Sequence, residues 1–171
     1  VSVLAGALLI GESVRGSLRD LSTRRLGKTD DLISSGYFFR DQLAADLSQA
    51  GVTCPLIAMN GVAVAEPSKR RAGDVKVYGV DERFWKFHGV TDAAALQNGE
   101  ALVSESLANE LGSTVGESLL LRLEKPSDIP VESLHGRKED PGKTIRLKVT
   151  HVLRSSDPLG EFSLQPEQDA V

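Results

Sequence analysis

The 171-residue chain predicts an α+β protein in which a long N-terminal helix precedes short helices and strands, with strands dominating the second half. Three observations carry this. Val3, Leu4, Ala7, Leu8, Gly11, Val14, Leu18 and Leu21 recur at helical spacing and form one stripe. Residues 74–80 and 144–154 alternate apolar and polar side chains, as half-buried strands do. Between them Ser104 opens a short helical pattern that Gly112 closes, and Asp81 caps another.

The elements follow in order. Residues 1–10 carry no charge, whereas Glu12, Arg15, Arg19 and Asp20 lie off the apolar stripe. The leading helix is therefore apolar all round at its start and amphipathic later, the pattern of a helix that leaves a bilayer and runs along a wet domain; for residues 1–10, a core helix of a soluble domain is the competing reading. Gly27 is its predicted stop. Asp31 to Gly36 reads as a short strand. Phe38 to Ala50 reads as a helix with Phe39, Leu43 and Leu47 on one face, stopped by Gly51. Val52 to Ala65 reads as one long strand bent at Asn60-Gly61, Glu66 to Gly73 as a hairpin loop, and Asp74 to Val80 as the return strand. A short helix follows Asp81 through Phe87, with Phe84 and Phe87 on one core-facing side. Ala101 to Val103 is a strand, Glu105 to Leu111 a helix, Ser118 to Leu123 a strand, and Thr144 to Arg154 a long antiparallel strand. Glu124 to Gly142, with three prolines and mixed charge, reads as a long loop.

Composition excludes several function classes. A net charge of −4 and a pI near 5.4 provide no basic footprint for nucleic acid. The lone Cys54 excludes an internal disulfide framework and a multi-cysteine zinc site, and reads as a small buried hydrophobe. His88, His135 and His151 share no element at ligand spacing, so each reads as a surface or half-buried imidazole. No glycine-rich phosphate cradle is present, so no nucleotide site is expected. Gly11-Glu12-Ser13 lacks the closing glycine of a nucleophile elbow. Ser104 is better explained as a helix cap than as a nucleophile, and Asp81, Glu82 and Glu105 suit helix starts through the macrodipole. Lys69, Arg70 and Arg71 read as a solvated loop, and Trp85 as a ring free for a partner. No catalytic, cofactor-binding or metal-ligating residue is therefore assigned, and no enzyme activity is expected. The start at Val1 without methionine, together with the polar run Pro166 to Val171, predicts a piece of a longer chain.

Several segments together resemble a known family. Gly6-Ala7-Leu8-Leu9-Ile10-Gly11-Glu12-Ser13-Val14-Arg15-Gly16-Ser17-Leu18 resembles the junction between the first transmembrane helix and the external domain of FtsX-like ABC transporter permeases. Tyr78-Gly79-Val80-Asp81-Glu82-Arg83-Phe84-Trp85 resembles the strand-to-helix step of the MacB-like periplasmic core domain. Ala101-Leu102-Val103-Ser104-Glu105-Ser106-Leu107-Ala108, then Leu111-Gly112 and Val115-Gly116-Glu117, is similar to a further pattern of that domain, with Glu117 where an aspartate is commoner. The resemblance spans about residues 4–165 in order. The 124–142 insertion departs from it.

The resemblance implies a layered α/β lobe with a strand-rich second lobe inserted in it. Residues 1–23 would be the end of a transmembrane helix and a membrane-proximal helix, 24–100 the first lobe, and 101–171 the second. It implies an inner-membrane protein whose domain faces the periplasm and couples ATP-driven motion to export or mechanotransmission. The implied partners are a cytoplasmic ABC ATPase subunit or domain, a second permease copy, and a periplasmic adaptor or substrate. Two other readings compete: a free-standing extracytoplasmic ligand-binding module, and a hydrolase using Ser104 or Asp81.

Overall fold

The computed structural model describes residues 2–49, 51–90, 96–123, 142–157 and 159–164, and for 2–10 the backbone alone. The fold is α+β: a mixed five-stranded sheet accompanied by helices, with a long helix at the N-terminus. That helix, α1, runs from Ser2 to Leu26. Gly27 ends it with a left-handed φ of 62°, and its N–H bonds to the Arg24 carbonyl. The stripe Val14, Leu18 and Leu21 does not pack along the domain, since all three remain about half exposed (52, 58 and 49%). Residues 11–24 are exposed throughout, and burial begins at Arg25 and Leu26. Among the described residues α1 packs on no other helix or strand.

Residues 31–56 differ most from expectation. Asp31 to Gly36 forms no strand: among the described residues no segment pairs with it, and a strand exists only through its ladder. The helix expected from Phe38 is much shorter: α2 covers Gln42–Asp46, followed by a single 3-10 turn, Leu47–Gln49. Its N-cap Asp41 makes no capping bond: its backbone is helical (φ −56°, ψ −34°) rather than extended, and its Oδ1 accepts from Arg83 at 2.6 Å. Leu43 and Leu47 are half-buried, but Phe39 lies before the helix and is 48% exposed.

The sheet itself follows the sequence closely. Strands β1 (Ile57–Ala65), β2 (Arg71–Gly79), β3 (Glu100–Ser104), β4 (Ser118–Leu123) and β5 (Thr144–Leu153) are arranged in the order β2-β1-β4-β5-β3. The β1–β2, β1–β4 and β4–β5 pairs are antiparallel, but β3 lies parallel to β5, so β5 is not the purely antiparallel strand expected. The strand expected from Val52 begins only at Ile57. The hairpin loop is shorter than expected, because β2 already starts at Arg71 and Lys69 takes the left-handed turn position at φ 56°. The irregularity expected near Asn60-Gly61 is present, but β2 carries it: Gly61 faces Val75 and Ala63 faces Ala72, leaving Gly73 and Asp74 opposite Val62. Asp74 adopts φ 49° to make this bulge. Gly61 is required for another reason: a Cβ there would stand 2.7 Å from the Arg122 carbonyl oxygen on β4.

One face of the sheet is covered by α4 (Glu105–Leu111). Ser104 caps it, its hydroxyl accepting from the Leu107 N–H, and Gly112 closes it at φ 63°. Ala108 and Leu111 from α4 meet Ala63, Ala65, Ala72, Val103, Leu119, Leu121 and Val149 in the core. Alanines dominate β1 in this cluster, and they let the helix approach the sheet closely. Ile145 and Leu147 alternate with exposed Arg146 and Lys148, which places their side of β5 on this core. Residues 124–141, most of the expected loop, lie outside the described residues.

Candidate functional site

Two clusters lie at the end of the sheet where α3 (Glu82–His88) follows β2. Asp81 is the N-cap of α3, its carboxylate accepting from the Arg83 N–H at 2.8 Å. Gly89, at φ 75°, closes the helix while the Val90 N–H reaches the Trp85 carbonyl at 2.9 Å. This fixes α3 at two turns, so Phe84 and His88, four apart, face the same way.

The first cluster is an open groove of about 740 Å³ between residues 35–41, the start of β1 and the start of α3. Tyr37 and Phe38 stand on its wall with their rings 69 and 68% exposed, and Ile57 and Met59 form part of its floor. Arg83 closes one end by gripping Asp81 at 2.5 Å and Asp41 at 2.6 Å. The Arg83 hydrogen bonds hold the Asp81 carboxyl below the usual carboxylate range, and these bonds to Asp81 and Asp41 in turn raise the guanidinium's affinity for its proton. Cys54 is half-buried in the same region, and burial followed by the Asp81 charge pushes its thiol up, so it stays a protonated thiol at neutral pH.

The second cluster is an aromatic cage around His88. Phe84, Phe87 and Phe162 meet the imidazole edge-to-face at 4.5, 5.0 and 5.3 Å, and Tyr78 meets Phe162 edge-to-face at 5.2 Å. Phe84 is buried as expected. Phe87 is only half-buried, and its expected place in the core is taken by His88, which is 7% exposed and so buried rather than the surface or half-buried imidazole expected. The signal was present in the chain: after an N-cap at Asp81, a stop at Gly89 leaves the i, i+4 pair Phe84 and His88 as the inward face. Trp85 is half-buried and packs on Phe84 at 5.3 Å.

The backbone N–H of Lys28 donates to His88 Nδ1 at 3.2 Å. The Ser163 N–H donates to the Arg25 carbonyl at 3.0 Å, and the Leu164 N–H to the Tyr78 hydroxyl at 3.2 Å. The cage thus ties together the trailing end of α1, the helix after β2 and residues 159–164. Burial, and then the Lys28 charge, lowers the imidazole pKa below its ordinary value of 6.5.

The structure brings none of the other candidates into a reacting group. Ser104 Oγ lies 3.2 Å from Ser106 Oγ and serves the α4 cap, while Glu105 lies in the first turn. His151 is exposed on β5, and His135 lies outside the described residues. Lys69, Arg70 and Arg71 are exposed around the β1–β2 turn. Among the described residues no three His, Cys, Asp or Glu side chains gather as metal ligands. No described helix is long and apolar enough to cross a membrane. The chain matches no protein-family model, and a search of the curated proteins found no match.

Proposed function

We propose that this chain is the extracytoplasmic domain of an FtsX-like ABC transporter permease, coupling ATP-driven motion of membrane helices to a periplasmic substrate or partner. The observation that supports this most is the layout of α1. Its first ten residues carry no charge, and among the described residues it packs on no other element and is fastened to the domain only at its trailing end. A helix held at one end suits a lever between a membrane and a folded domain better than a core element. In this reading residues 1–23 lead out of the inner membrane, and the stretches 24–100 and 101–171 both contribute to the sheet on the periplasmic side. A cytoplasmic ATPase, a second permease copy and a periplasmic adaptor or substrate are the partners. The domain does no catalysis itself.

The test uses the whole gene product. After alkaline carbonate extraction it should stay in the membrane fraction, and its ATPase partner should co-purify from detergent. A product released by carbonate would overturn the proposal. The open groove beside Tyr37 and Phe38 favours a second reading, a free-standing ligand-binding module. Carbonate release together with a ligand-induced rise in melting temperature would select it.

A further inference from the structure

We infer that the cage around His88 is an acid-opened joint, which holds the trailing end of α1 on the domain while the imidazole is neutral and releases it when the ring takes up a proton. The inference stands apart from the permease reading and concerns only how α1 is fastened. Its basis is the direction of one hydrogen bond. Lys28 donates its backbone N–H to Nδ1, so that nitrogen must present a lone pair. A proton on Nδ1 turns the acceptor into a donor pointed at another donor, and the bond between the linker and α3 is lost. The ring cannot turn away easily. Phe84, Phe87 and Phe162 surround it, and Gly27 lies so close that even a Cβ there would stand 2.6 Å from Nδ1. Relief therefore comes from moving the linker.

The charges around the ring point the same way. Lys28 is the charge that acts on it, and its ammonium lies over the end of α3, against Gly89. From residues 159–164, Leu159 and Phe162 bring no charge and Glu161 is exposed to solvent. From β2, the Tyr78 hydroxyl is engaged by the Leu164 N–H. On α3 itself Glu82 and Lys86 are exposed. The negative end of the α3 dipole favours an imidazolium and so opposes burial and the Lys28 charge, which lower the imidazole pKa. Two further tethers, Ser163 to Arg25 and Leu164 to Tyr78, share the same residues 159–164 and would loosen with the cage.

The experiment follows amide exchange by NMR on the 171-residue chain from about pH 8 to about pH 5, with rates divided by their intrinsic values. As His88 titrates, protection at Lys28 and Ser163 should fall roughly tenfold or more, while Leu121 and Val149 in the sheet keep theirs. His88→Asn places an Oδ1 acceptor that does not titrate where Nδ1 stands, so Lys28 should stay protected at both ends of the range. The inference is overturned if Lys28 and Ser163 stay protected through the titration, or if they lose protection in step with the sheet. It is equally overturned if a folded His88→Asn chain shows the same acid loss. Should that variant not fold, the wild-type titration decides alone.

Discussion

A hydrogen placed where a methyl would collide makes the sharpest demand in this chain. Gly61 has no unusual φ, yet its missing side chain lets β1 and β4 pair, because a Cβ would press on the Arg122 carbonyl oxygen at 2.7 Å. Gly61→Ala should therefore cost ~1–3 kcal/mol in chemical denaturation, and a neutral result would mean that β4 can shift away. The aromatic residues of α3 offer a contrast at the same scale. Phe84 is 3% exposed and touches Trp85, His88 and Phe162, so Phe84→Ala should cost ~3–5 kcal/mol. Phe87 is half-buried, and Phe87→Ala should cost clearly less. Equal losses would show that both rings share the core, as their three-residue spacing alone suggested.

At the level of elements, legibility tracked how local the deciding interaction was. The α4 boundaries were readable because Ser104 and Gly112 cap it within its own segment. The alternation Ile145, Leu147, Val149 was readable for the same kind of reason. Residues 31–50 were not. Whether Asp31 to Gly36 is a strand depends on a partner elsewhere, and the contact of Asp41 with Arg83, 42 residues away, has no local mark either. The parallel placement of β3 beside β5 likewise has no local mark. For α1 the pattern told its extent but not that Val14, Leu18 and Leu21 would stay exposed. Since among the described residues α1 is tied down only at its trailing end, deleting residues 1–10 should leave the melting temperature of the remainder unchanged and reduce self-association. A collapsed remainder would instead identify residues 1–10 as core.

The molecule as a whole should weaken in acid through two identified groups. Both folded-state pKa values are depressed, so the unfolded chain binds more protons and stability rises with pH in each window. For His88 the stabilisation is complete above its ordinary 6.5 and is lost as pH falls below that toward the depressed native value. For Asp81 the window lies below the ordinary 3.8, where protonation removes the grip of Arg83. Asp81 is largely exposed, so the second loss is the more screened by solvent. Denaturation midpoints measured across this range should fall in two steps, and His88→Gln should remove the first. A flat profile between neutrality and about pH 5 would contradict the assignment to His88.

The bulge in β2 bears on how copies of this protein behave toward one another. β2 ends the sheet, and among the described residues no strand covers its outer side, so its free backbone groups could template another chain. Gly73 and Asp74 interrupt that row with one left-handed residue, and Lys76, bridged to Asp74 and Asn60, sets a charge beside the break. An incoming strand would find neither a continuous ladder nor a neutral surface. The rim thus resists edge-to-edge growth into fibrils, and straightening it by deleting Gly73 would expose the molecule to that fate.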